Sequence, residues 1–127
     1  MSLDLNQYQT RALTTAHYPH HSEGSNPIAL AYVIGKLNGE AGECSEAFWK
    51  YMRSEGELVK PDQQTRRKML DEAGDILWYV AALASECGVS LATVAGWNLE
   101  KLAARAKHGT DGWSEARKAQ ALEGQVP

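Results

Sequence analysis

Apolar positions in this chain recur at intervals of three and four, and no segment alternates with the period of two that a strand requires. The rhythm predicts four helices. The first covers about residues 5–16, with Leu5, Tyr8, Ala12 and Ala16 on one face. A segment rich in breakers, HYPHHSEGSN, follows it. Asn26 before Pro27 reads as a cap and a first-turn proline, so a second helix starts there and continues to about Arg53. Asp62 caps a third helix that reaches Cys87 and stops at Gly88. Ser90 caps a fourth, which reaches about His108 and stops at Gly109. One more short turn is expected around residues 113–121.

The second helix breaks its own pattern. Val33, Leu37, Cys44, Phe48 and Tyr51 define its inward stripe, and Glu40 falls in the middle of it. Glu43 lies about 60° to one side, and Glu46 about 120° away towards solvent. A lone buried carboxylate is costly, so Glu40 must be paired, protonated or bound to a cation. Gly39 and Gly42 weaken the helix here, and leave room for substrate or a neighbouring helix.

The third helix carries an apolar stripe of Met69, Ala73, Ile76, Leu77, Val80, Leu83, Ala84 and Cys87. Trp78, Ala81, Ala82 and Ser85, on its other faces, are also weakly polar. A helix apolar almost all round is buried on several sides, which in a small domain predicts a subunit interface. Glu72 sits at the edge of the stripe, and Asp75 about 60° further out.

Rise along the helices brings these carboxylates together. Glu43 stands ten residues before Arg53, and Glu72 ten residues after Asp62, about 15 Å out and back if the helices form an antiparallel hairpin. The same arithmetic applied to the fourth helix returns Lys101 to the level of Asp75, with Asn98 and Arg105 near it. Four carboxylates, an amide and two cations are therefore expected in one layer of an all-α, antiparallel four-helix bundle. An all-oxygen donor set, with no histidine or cysteine among its four members, suits a hard cation, Mg²⁺ or alternatively Mn²⁺. No histidine follows a glutamate by three residues, which argues against a ferritin-like di-iron site.

Composition narrows the setting. The 127 residues make one domain, residues 1–127, with a core of about 5–109 and a tail of 110–127. A net charge of -3 offers no electrostatic reason to bind nucleic acid or an anionic membrane. No apolar run is long enough to span a bilayer and no signal peptide is read, so a cytoplasmic location is expected. Cys44 and Cys87 fit no metal spacing, and read as thiols too far apart along the hairpin to pair. His17, His20 and His21 read as part of a solvated loop that can close over a ligand. Among the aromatic residues Trp49, Trp78, Tyr79 and Trp97, Tyr79 stands on the same face as Asp75 and offers a stacking surface there.

The segments GEAGECSEAF, DEAGDILWYVA and NLEKLAARAKHG together resemble the MazG-like nucleotide pyrophosphohydrolases of the all-α NTP pyrophosphatase superfamily. Glu40, Glu43, Glu72 and Asp75 match that family's acidic positions. Asn98, Lys101, Leu102 and Arg105 match its following motif, and the resemblance covers roughly residues 5–109. It implies Mg²⁺-dependent hydrolysis of a nucleoside or deoxynucleoside triphosphate to the monophosphate and pyrophosphate, in house-cleaning or control of the nucleotide pool. On that reading Glu40, Glu43, Glu72 and Asp75 hold metal. Glu40, Glu43 and Lys101 are catalytic, with Glu40 as general base, and Asn98, Lys101, Arg105 and Tyr79 contact substrate. A homo-oligomer, dimer or tetramer, is expected. Gly39 stands where many members carry a further glutamate, which leaves the number of metal ions and the base open. A dUTPase- or dCTPase-like specialist of the same fold and a non-catalytic helical interaction module are the alternatives.

Overall fold

Capping side chains set the helix starts. In the computed structural model, which describes residues 2–108 and Glu123, the Asn26 side chain accepts from Ile28 N–H at 2.9 Å and Asp62 from Thr65 N–H at 2.7 Å. Ser90 Oγ likewise accepts from Thr93 N–H at 3.0 Å. The helices are α1 (Leu5–Ala12), α2 (Pro27–Glu55), α3 (Gln63–Glu86) and α4 (Leu91–His108), with no strand among the described residues. The turn expected at residues 113–121 lies outside them.

Two boundaries differ from the reading of the sequence. α1 opens on a capping box between Asp4 and Gln7, and its α geometry ends at Ala12. The hydroxyls of Thr14 and Thr15 donate back to the carbonyls of Arg11 and Ala12, both at 2.7 Å, where the chain tightens into a 3-10 turn over Leu13–Thr15. α2 runs on to Glu55, where Gly56 at φ 97° turns the chain as only glycine does freely.

α2 and α3 form the expected antiparallel hairpin. Contacts step in opposite directions along the two helices: Ser25 with Glu86, Ala29 and Val33 with Ala82, Cys44 Sγ with the Met69 carbonyl, Tyr51 hydroxyl with the Lys60 carbonyl. Along α2 the inward positions are Val33, Leu37, Glu40, Cys44, Ala47 and Tyr51; along α3 they are Thr65, Met69, Glu72, Ile76, Tyr79 and Leu83. Alternating steps of three and four make both rows heptad seams. Glu72 therefore belongs to the α3 seam itself, not to its edge, and faces Glu40 across the hairpin. Leu77 and Ala73 fall on an exposed face instead.

The core lies at one end of the hairpin, above the carboxylates. Tyr18, Ala29, Val33 and Ala82 are buried there, with Leu13, Ala16, Trp78, Tyr79 and Leu83 packed around them. Trp78 and Ala82, read from sequence as off the apolar stripe, belong to this core because the chain before α2 folds over that face.

α4 departs most from the sequence reading. It leaves α3 at a bend of 99°, packs against α1 and α3, and makes no contact with α2 among the described residues. A perpendicular course puts Lys101 roughly 20 Å from Asp75, so the level match assumed for an antiparallel return does not hold within one chain. The direction is set by α1. Gln9 Nε2 donates to the carbonyls of Ala81 at 3.3 Å and Val89 at 3.2 Å, while its Oε1 accepts from Leu91 N–H at 2.8 Å. Asn6 Oδ1 accepts from Ala92 N–H at 3.3 Å. Two side chains of α1 thus bind the first turn of α4 and the turn before it.

Gln9→Leu removes this clip and leaves the Leu91 N–H unpaired. It is expected to destabilise the fold by about 2 kcal/mol in urea unfolding. Thr10→Ala, one exposed position along, is expected to leave the midpoint unchanged.

Candidate metal centre and adjoining cavity

The facing seam positions give the site its geometry. Glu40, Glu43 and Glu72 each present a carboxylate oxygen, and these atoms all lie within 4.8 Å of one another. Glu40 and Glu72 are half-buried in the seam, and Glu43 is exposed beside it. Asp75, the fourth expected ligand, is exposed and is not part of that convergent group. It stands close enough to act on Glu40 electrostatically, and shares a cavity with it.

Charge around Glu40 is unbalanced. Burial first, and then the charges of Glu43, Asp75 and Glu72, push its carboxyl above the usual range, with Lys36 offsetting part of this. Ion pairs elsewhere join Glu46 to Lys50 at 3.1 Å, Asp71 to Arg67 at 2.8 Å and Glu23 to His20 at 2.9 Å. Among the described residues none forms on Glu40, Glu43, Glu72 or Asp75. Three convergent carboxylates with no ion-paired protein cation among the described residues fit a hard divalent ion in both charge and donor type.

Next to this cluster opens a cavity of about 490 Å³, lined by Thr15, His17, Tyr18, Tyr32, Glu40, Asp75, Trp78 and Tyr79. Its wall is aromatic. Tyr18 stacks on Tyr32 with centroids 5.7 Å apart and meets the edge of Trp78 at 6.2 Å; Trp78 meets Tyr79 at 4.9 Å. The Trp78 indole N–H donates to the Ala12 carbonyl at 3.1 Å and Thr15 Oγ1 at 3.0 Å, which fixes its plane. Burial, the neighbouring Tyr32, and the charges of Glu40 and Asp75 hold the Tyr79 hydroxyl above its usual pKa. Burial and the charge of Asp75 do the same to Tyr8.

Tyr79 therefore lies where the sequence put it, on the face of Asp75. His17 lines the cavity, while His20 pairs with Glu23. Trp49 is exposed and is not among the lining residues. Asn98 and Arg105 are exposed and Lys101 is half-buried on α4, outside the lining of this cavity. Gly39 and Gly42 face open space, so no neighbouring helix of the same chain needs their small size. Cys44 and Cys87 are free thiols.

Three lining residues, Thr15, Tyr18 and Tyr32, escaped the sequence reading. Tyr32 stands eleven residues before Glu43, three helical turns along nearly the same face, with Lys36 between them and its Nζ 6.0 Å from the Tyr32 ring. That spacing was a usable signal. Tyr18 offered none, because it lies in a polar loop without periodicity.

The MazG nucleotide pyrophosphohydrolase domain matches residues 30–110. The Gene 37 protein of Mycobacterium phage L5 is 38% identical over 102 residues, covering 80% of this chain and 88% of the phage protein. No solved structure gives a significant match.

Charge repulsion predicts a crossing in stability. Without divalent ions, Glu72→Gln is expected to melt above the wild type, because one like charge leaves the cluster. Mg²⁺ at a hundredfold its dissociation constant is expected to stabilise the wild type by about 2.7 kcal/mol, and the variant by much less. Thermal melts in EDTA and in Mg²⁺ read both effects, and a wild type indifferent to Mg²⁺ would remove the metal assignment.

Proposed function

The chain belongs to the MazG nucleotide pyrophosphohydrolase family, and from that premise we propose that it hydrolyses a nucleoside or deoxynucleoside triphosphate to the monophosphate and pyrophosphate. One observation carries the reading: the acidic cluster opens, through Glu40 and Asp75, onto an aromatic cavity within the usual range for small-ligand sites. The aromatic wall receives the base, and the cluster faces the triphosphate.

Glu40, Glu43 and Glu72 hold Mg²⁺, with Asp75 beside them. Bound Mg²⁺ supplies positive charge that offsets the phosphate oxygens and favours ionisation of a nearby water. Glu40 takes the proton of the attacking water, from a seam position that holds it beside Glu43 and Glu72. Tyr79, Tyr32 and Trp78 hold the base by stacking and exclude water from that side.

Asn98, Lys101 and Arg105 carry donors suited to phosphate. Since α4 turns away from α2, these residues serve the site of a neighbouring subunit. Exposed Ile34, Leu70, Leu77 and Leu102 support assembly into a dimer or tetramer, with α3 at the interface. The same acidic hairpin without turnover would be an interaction module. The aromatic cavity beside it favours the enzyme.

Pyrophosphate release from a panel of single nucleotides, with and without EDTA, tests the activity and names the base. Glu72→Gln is expected to lose at least about tenfold in turnover at limiting Mg²⁺ and to recover in part as Mg²⁺ rises, whereas Lys101→Ala is not rescued. Mixed oligomers of the two variants should regain activity that neither has alone. Lack of complementation in verified mixed oligomers would place Lys101 outside the shared site.

A further inference from the structure

Glu86 is the most buried charged residue described, at 3% exposure, and it lies at the far end of α3 from the acidic cluster. Its position is unfavourable by two measures. A carboxylate at a helix C-terminus opposes the helix dipole, and burial removes its hydration. Its Oε2 has no hydrogen-bond partner. Such a cost needs a compensating role.

That role is visible in what reaches Glu86. Its Oε1 accepts from the Tyr18 hydroxyl at 2.5 Å and from Ser22 N–H at 2.9 Å. Its main-chain carbonyl accepts from Ser25 N–H at 2.9 Å and Ser25 Oγ at 3.0 Å. One residue thus ties down both ends of the segment 18–25. Within that segment His20, Ser22 and Ser25 all adopt positive φ, at 59°, 65° and 58°. Non-glycine residues adopt this conformation at a cost, and keep it only where surrounding bonds enforce it.

The segment matters because Tyr18 forms part of the cavity wall. Its ring supports Tyr32 by stacking and Trp78 by an edge contact, and both line the space beside Glu40 and Asp75. We propose that Glu86 is a positioning residue for substrate: through Tyr18 and Ser22 it locks the 18–25 segment, and so sets the aromatic wall that takes the nucleobase. The proposal rests on the pyrophosphohydrolase reading above. Glu86 touches neither the acidic cluster nor the cavity, so its influence falls on base binding and not on metal or chemistry.

The experiment compares the wild type with Glu86→Ala, Glu86→Gln and Tyr18→Phe, using the best nucleotide from the panel. Glu86→Gln keeps an acceptor for Tyr18 and Ser22, and is expected to retain the wild-type KM. Glu86→Ala and Tyr18→Phe are expected to raise KM about tenfold, with kcat and the Mg²⁺ midpoint within about twofold of wild type. Circular dichroism confirms folding, and if Glu86→Ala does not fold, Tyr18→Phe alone carries the test, since it keeps the ring. Wild-type KM in a folded Tyr18→Phe, or a shifted Mg²⁺ midpoint, would overturn the role of Glu86 and leave the activity standing. A wild type that releases no pyrophosphate from any nucleotide would overturn both.

Discussion

Like charge inside a helix–helix seam is the constraint on which the rest of the structure depends. Glu40 and Glu72 occupy inward positions where leucines would serve, and Glu43 adds a third carboxylate within 4.8 Å. Such a layer pushes the two helices apart. The seam holds because apolar residues flank the layer on both sides, with Val33, Tyr79 and Leu83 in the core above, and Cys44 against Met69 below. The cluster is therefore a local weakness built into a longer hairpin, and a cation is what its charge lacks.

How much of this was legible in the sequence depends on the range of the interactions. Helix ends were legible because their causes are local: Asn26, Asp62 and Ser90 cap within three residues of themselves. The acidic group was legible too, since a period of three and four and a fixed rise place Glu40 opposite Glu72. The course of α4 was not. It depends on Gln9 and Asn6, more than eighty residues earlier in the chain, whose side chains bind the backbone of the α3–α4 turn. No periodicity in α4 itself records that contact. Tyr18 and Glu86 were equally hidden, because the hydrogen bond that joins them spans 68 positions of the chain.

The two ends of the hairpin carry different tasks. At one end the chain before α2 folds back, builds the aromatic core and walls the cavity. Towards the other end, beyond Cys44 and Met69, the helices pack only on each other among the described residues, and close through Tyr51 on the Lys60 carbonyl before Gly56 and the cap at Asp62. The proposed chemistry concerns only the first end and the middle.

The arm beyond the carboxylate layer has an evolutionary consequence. Because both seams keep a heptad step there, a matched insertion or deletion of about seven residues in each arm returns every inward residue to its register. The hairpin can change length without disturbing Glu40 opposite Glu72, whereas an unmatched change of one residue rotates one row by about 100° and scatters the layer. Length variation between the two acidic motifs is thus tolerated in steps, and the tip of the hairpin is free to diverge for purposes unrelated to the site.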